Sequence, residues 1–421
     1  MFRVPTSLGA GWICTLALGA ACGSKATVTD GPVSNGDGPS TDGNITDAGP
    51  QIDADPLCTM PGTIPAMRLQ PVVSAGLVQP VFVTAPRGGD ATPGTLYVVE
   101  KPGRIKLIRN NAVVGTFLDI TANVEIPDAS AEGGLLGLAF APNYLTSGRF
   151  FVYYSAKPSN TLPTRMVVQE FRRSVNPDVA TPTMVAEFIA APHQAYGEAG
   201  GSLVFGNDGM LYASVGDGHG SPSPASNINS KLGKILRINT ATPGVAPATG
   251  NAHGGDPFIW DRGLRNPYRI SVDRGNGNFY ITDVGDATFD EVNVEPVDQG
   301  NHDFGWPRME GPECAGGGNA CANQGTLPTV SHAHPEIRAL IGGFVYRGSA
   351  LPCLRGRYIY GDYISGRIFS FVYSGTTATS KVELTAMFND GLLSIVGFGE
   401  DAAGELYTVQ INGVIMKLVP L

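Results

Sequence analysis

The chain has 421 residues, 42% of them hydrophobic and 15% charged, with a formal net charge of −9. That length can bury a large core, and the lack of any basic tract or face argues against nucleic acid as a partner. Glycine (56) and proline (32) are abundant enough to favour an all-β chain with many tight turns over a helical one.

At the N-terminus, "MFRVPTSLGAGWICTLALGAACGSK" carries Arg3, a short apolar run and small residues before Cys22. The run is too short to span a bilayer, so residues 1–22 read as an export signal. Small residues directly before Cys22 resemble a bacterial lipoprotein cleavage site, with Leu18 one place further out than usual. An ordinary signal peptide cut nearby is the alternative. A lipid on Cys22 is then the only tie to a membrane, and the protein is expected in the periplasm or on the cell surface. Residues 23–57 are rich in Gly, Asp, Pro, Ser and Thr. They bury too little to offset chain entropy and read as a flexible linker.

The folded part is expected over residues 58–421. Its four cysteines, Cys58, Cys314, Cys321 and Cys353, suggest disulfides in an exported chain. Cys314 and Cys321 flank "AGGGNA" and can close locally, which leaves Cys58–Cys353 by elimination. No CxxC is present, so a zinc or redox site has little support.

From about residue 75 one pattern recurs: an apolar strand, a Gly/Asn/Asp turn, and an aromatic-bearing strand followed by a third. It appears at 94–108, at 134–156 with 166–171, at 201–217 with 232–238, at 266–285 with 290–295, at 342–348 with 356–371, and at 393–419. "GNDG" and "RGNGN" supply the positive-φ positions of hairpin turns. Six such units predict an all-β, six-bladed β-propeller of four-stranded antiparallel blades. "VVSAGLVQPVFVTA" (72–85) is the candidate to lend a strand to the last blade and close the ring.

If each unit begins with its innermost strand, the residues just before it share one rim of the central channel. Those are Glu132, Glu198, Arg265 with Asn266, and Ile341–Gly342. Two carboxylates, an arginine and an asparagine converging on a concave opening form the default candidate site. Asp217 in "GDGHG", and Asp283 and Asp286 in "TDVGDA", suit either a cation site or turn capping. His332 and His334 in "SHAHPE" read as solvated loop histidines.

The motifs "EGGLLGLAFAPNY", "GGSLVFGNDGMLYASVGDG", "LGKILRI", "GLRNPYRISVD", "DVGDATFDEVNV", "GNHDFGWPRMEG", "IGGFVYRG" and "YIYGDYISGRIFSF" lie in order over roughly residues 75–420. Together they resemble the glucose/sorbosone dehydrogenase family, the soluble PQQ-dependent sugar dehydrogenases and their relatives. The last two also resemble segments of Hedgehog-interacting-protein relatives, which share the propeller and are not established enzymes. The resemblance implies PQQ and Ca²⁺ as cofactors, an aldose-type sugar as substrate, and an unidentified electron acceptor. It implies that Arg265 and Asn266 face the cofactor and that carbonyls at Gly285 and Asp286 hold the metal. It further implies that Glu132 faces substrate, that Phe304 and Trp306 form an aromatic platform, and that Arg347 and Arg367 meet cofactor carboxylates; for Arg347 a stabilising ion pair between blades is the alternative. Glu198 stands where the family has its catalytic histidine, with His193 five residues upstream. Either Glu198 serves as the base or the chain is a non-catalytic propeller that binds a carbohydrate or protein.

Overall fold

The computed structural model describes residues 64–421, apart from 91, 128–130, 194–196, 221–222, 242–245, 252–253, 319, 322–323 and 389–393. Six antiparallel sheets follow one another along the chain, each ordered from an innermost to an outermost strand. The innermost strands are Pro80–Thr84, Leu135–Phe140, Gly200–Phe205, Asn266–Val272, Leu340–Val345 and Ile395–Glu400. Blade three splits its outer strand into Ala246–Pro247 and Ile259–Arg262, both paired with Lys234–Asn239. Blade four reaches its outer strand, Val330–Ala333, only after a long excursion that contains a short hairpin and the Cys314–Cys321 disulfide. Cys353 is also disulfide-bonded; Cys58, its expected partner, lies outside the described residues, as do the export signal and the linker up to residue 57.

The ring closes through Met67–Val73, which pairs with Ile415–Pro420 as the outer strand of blade six. This corrects the expected segment: most of 72–85 is instead the loop into blade one and that blade's innermost strand. Pro71 lies at a register shift in the closing strand, where a missing N–H is tolerated on an outer edge.

The core is divided in six. Six hydrophobic clusters each join side chains of two successive blades, and the last joins Val396, Tyr407 and Val409 of blade six to Val83, Leu96 and Val98 of blade one. Burial between neighbouring sheets, with no free end, is what makes a ring of small sheets stable. The turns follow one chemistry in three blades: a turn aspartate accepts from a tyrosine on the next strand. The pairs are Tyr97–Asp90 at 2.7 Å, Tyr212–Asp208 at 2.9 Å and Tyr407–Asp401 at 3.0 Å.

Every innermost strand shifts register within its first four residues: at Pro80/Phe82, Leu135/Gly137, Gly200/Leu203, Pro267/Arg269, Leu340/Gly342 and Ile395/Gly397. A bulge takes a residue out of the ladder and frees its carbonyl. Four of these freed carbonyls are met from blade four. Arg269 donates to Val81 O at 2.9 Å, Leu136 O at 3.0 Å and Gly201 O at 3.4 Å, and Tyr268 donates to Val396 O at 3.3 Å. The strands approach so closely that a Cβ at Gly137 would lie 2.5 Å from Gly201 O, and one at Gly342 would lie 2.6 Å from Arg269 Cβ. Arg269 thus crosses and plugs the channel, separating an upper mouth at the strands' first residues from a lower mouth at their last.

Candidate active site at the upper mouth

Arg265 is the hub of the upper mouth. It immediately precedes the innermost strand of blade four, and its backbone N–H donates to Asp283 Oδ2 at 2.9 Å. Its Nη2 donates to Glu198 Oε1 at 2.7 Å and Asp286 Oδ1 at 3.1 Å, while Nη1 donates to Gly285 O at 2.6 Å and Val284 O at 3.2 Å. The guanidinium lies 5.9 Å from the Trp306 ring centre, within reach of a cation–π contact.

Glu198 is almost fully buried, yet its backbone sits in the left-handed region at φ 46°, which is uncommon for a residue with a long side chain. Its carbonyl is held by His193 Nε2 at 2.9 Å and Gly218 N at 3.3 Å. Its Oε2 lies 2.8 Å from Nδ1 of His219, which also has a left-handed backbone at φ 57°. Two non-glycine residues held in that region and joined through their side chains mark a spot where local strain serves an arrangement. The turn carrying His219 is built from below. Asp217 accepts from His219 N at 2.9 Å, Ser223 Oγ at 2.7 Å and Trp306 Nε1 at 2.8 Å. The buried Lys234 donates to Pro224 O at 3.2 Å, Ala225 O at 2.6 Å and Leu232 O at 2.7 Å.

Glu132 completes the mouth. Its Oε2 accepts from Ala199 N at 3.0 Å and from Asn266 Nδ2 at 3.2 Å, while Asn266 Oδ1 accepts from Gly200 N at 3.0 Å. Burial raises the Glu132 carboxyl above its ordinary value, and the Glu198 charge adds to this against the Ala199 and Asn266 donors. Expectation and structure therefore agree in bringing Glu132, Glu198, Arg265, Asn266, Asp286 and Trp306 together.

Phe304 packs in the core between blades three and four and lines a small cavity with Arg265, Gly285 and Trp306. Other expected residues lie elsewhere. Arg347, two residues beyond its innermost strand, is at the opposite end of the channel and clamps Asp273 of the neighbouring blade at 2.7 and 2.8 Å. Arg367 pairs with Glu383 at 2.5 Å and Glu336 at 3.7 Å. The rim before blade five is Arg338–Ala339, because the strand itself takes up Leu340, Ile341 and Gly342. Neither His332 nor His334 is a solvated loop residue. His332 bonds the Tyr360 hydroxyl at 2.9 Å, with burial pushing it down to about 4, and His334 bonds Asp290 at 2.9 Å. His193 is buried behind Glu198 rather than at the mouth; burial lowers its pKa, and its Nε2 must carry the proton donated to the Glu198 carbonyl.

The "DVGDATFD" loop is organised by an anion. Glu310 Oε1 accepts from the N–H groups of Asp286, Ala287, Thr288 and Phe289 at 2.7 to 3.2 Å. Burial raises the Glu310 carboxyl, but the Thr288, Ala287 and Phe289 donors outweigh it and hold the group below its ordinary value. Sequence reasoning missed His219, Glu310 and Arg338. The "GHG" context of His219 offered one signal, a histidine between glycines in a turn.

The chain matches the glucose/sorbosone dehydrogenase family model over residues 84–410. The HIPL1 protein of Arabidopsis thaliana is 26% identical over 389 residues, covering 72% of this chain and 55% of its own length. Human Hedgehog-interacting protein is 27% identical over 394 residues, with 83% and 52% covered. The chain spans about half the length of the curated relatives it matches. Among solved structures, the PQQ-bound form of aldose sugar dehydrogenase from Streptomyces coelicolor shares the fold with a TM-score of 0.64 at 21% identity, covering 85% of this chain and 99% of its own. With six blades in place and the match running from the first innermost strand to the last blade, the chain belongs to the glucose/sorbosone dehydrogenase family.

Proposed function

We propose that this protein is an exported, PQQ-dependent oxidoreductase that oxidises an aldose-type sugar at the upper mouth, with a lipid on Cys22 as its membrane tie. The observation that carries the reading is the Glu198–His219 pair beside Arg265. A carboxylate that orients an imidazole, with a guanidinium fixing the carboxylate, is a general-base arrangement.

The residues suit the anionic cofactor. Arg265 and the exposed guanidinium of Arg338, which has no side-chain partner among the described residues, are cations at that end, and Asp286 and Arg338 share a hollow of about 420 Å³. Trp306 offers a flat flank. A calcium ion does not fit these residues as they stand. Arg265 already holds the Gly285 carbonyl, Asp217 already accepts from three donors, and no cluster of three His, Cys, Asp or Glu suited to a metal occurs among the described residues.

When bound, PQQ supplies the quinone that accepts hydride. Glu198 Oε2 lies 2.8 Å from His219 Nδ1 and has no hydrogen-bond partner among the described residues; a small rotation of the imidazole would let Nδ1–H donate to it and leave Nε2 free to take a sugar hydroxyl proton. Arg265 holds Glu198 in place, and Glu132 offers an acceptor for a neighbouring sugar hydroxyl.

The test is retention of PQQ absorbance by purified protein, with and without Ca²⁺, and dye reduction over an aldose panel. His219→Asn is expected to keep the cofactor and lose on the order of 10²-fold or more in kcat. A protein that retains no cofactor sinks the reading. A second reading, a propeller that binds a carbohydrate or protein without redox chemistry, is favoured by the way Arg265, Glu198 and Asp286 satisfy one another; cofactor binding without turnover would select it.

A further inference from the structure

The lower mouth opens into a cavity of about 400 Å³ at the last residues of the innermost strands. All six blades contribute to its wall, and four phenyl rings dominate it: Phe82, Phe140, Phe205 and Phe344. The charged residues on its wall are Arg87 and Glu400, and two more guanidiniums, Arg274 and Arg269, stand behind the wall. Glu400 is buried and meets two guanidiniums: Arg87 Nη2 at 3.1 Å, and Arg274 at 3.1 Å to Oε2 and 2.8 Å to Oε1. Arg87 also donates to Val272 O at 2.9 Å through the same Nη2. Its Nη1 and Nε meet no acceptor among the described residues. A third cation stands behind the wall: Arg269 is buried, its guanidinium lies 5.2 Å from the Phe82 ring, its partners are all carbonyls, and its Nε is buried without a partner.

We propose that this cavity is a second binding site, for a small aromatic carboxylate whose ring sits among the four phenylalanines and whose carboxylate takes the open face of Arg87. The volume lies in the range of small-ligand pockets. Phenyl walls favour an aromatic guest through edge-to-face contact, and the surplus of guanidinium charge selects an anion over a neutral molecule. The site is independent of the sugar-oxidising reading, because Arg269 and Tyr268 close the channel between the two mouths.

The test is titration calorimetry of the purified full chain with 3-phenylpropionate, against 3-phenylpropionamide as the neutral analogue. The carboxylate is expected to bind at least tenfold more tightly than the amide, as loss of a charge-assisted hydrogen bond implies, and more weakly as salt is raised. Arg87→Gln should cost about tenfold in affinity. Thr84→Trp, at a half-buried strand position on the cavity wall, should abolish binding by filling the space. Both variants should keep the wild-type melting profile and the behaviour of the upper mouth. Equal affinity for acid and amide, no binding of either at 10 mM or so, or unchanged affinity in Arg87→Gln and Thr84→Trp would each overturn the proposal.

Discussion

The two ends of one channel are made from the same six strands, yet they have opposite chemistry. At the upper mouth, where the chain crosses from one blade to the next, Arg265, Glu198, Asp286 and His219 pair with one another, and Glu132 pairs with Asn266. At the lower mouth, where tight hairpins turn within a blade, the wall is phenylalanine and the guanidiniums outnumber the carboxylate they share. Inter-blade loops are long enough to bring side chains from different blades together. Hairpin turns are held by local pairs such as Tyr212–Asp208 and leave the strand ends apolar. Function is expected first where loops cross.

The largest effect should come from the pair that defines the upper end. Glu198→Ala removes the carboxylate beside His219 and one anion from Arg265. Dye-linked turnover is expected to fall about 10²- to 10⁴-fold, measured as kcat with saturating PQQ, while 3-phenylpropionate affinity at the lower end stays unchanged. A variant that turns over normally would remove Glu198 and His219 from the chemistry. One that also loses the lower site would show that the two ends are coupled through the channel.

Six hairpins with aromatic second strands made the blade count legible, because period-two alternation and turn residues are local signals. The closing strand was less so: Pro71 interrupts the alternation of "MRLQPVV", and its partner Ile415–Pro420 is more than 340 residues away. Arg265, Asn266, Glu198 and Glu132 were found because each stands just before an innermost strand or, for Asn266, at its first residue. His219 was not, because it reaches Glu198 only through a turn whose left-handed backbone leaves no mark in composition. Arg347 makes the ion pair between blades that is the alternative to a cofactor contact, because it lies beyond the far end of its strand, and strand direction decides which mouth a residue serves. Arg269 reads as one arginine in "NPYRISV"; only the bulge, repeated in six strands, turns carbonyls inward for it to satisfy.

Breaking that plug tests the separation of the two ends. Arg269→Met keeps much of the side-chain volume but leaves Val81, Leu136 and Gly201 carbonyls without their donor. Unsatisfied buried acceptors cost about 1–3 kcal/mol each, offset in part because a buried cation is no longer held without a carboxylate. A net loss of about 3 kcal/mol in denaturant unfolding is expected, together with weaker 3-phenylpropionate binding. An unchanged midpoint would mean that water replaces the guanidinium and that the plug is not structural.

The smallest effect sharpens what supports the upper mouth. Asp283, which accepts from the N–H groups of Arg265 and Asn266, stands directly opposite Glu291 on the next strand. Burial, then the charge on Glu291, holds Asp283 well above its ordinary value; burial, joined by the Glu310 and Asp290 charges, pushes Glu291 up to about 7 despite the Gly311 and Asn293 donors. The sign follows from proton counting. Between the unfolded value of 4.5 and about 7 the unfolded chain releases a proton that the folded chain keeps, so stability falls as pH rises through that window and levels off above it. Glu291→Gln cannot release a proton in either state. Its melting temperature should match wild type at about pH 3.5, where the carboxyl is mostly protonated in both states, and exceed it by on the order of a few degrees at pH 8. A difference independent of pH would mean that Asp283 and Glu291 are neutralised by other groups, and that the floor of the upper mouth is as indifferent to protons as the phenylalanine wall below.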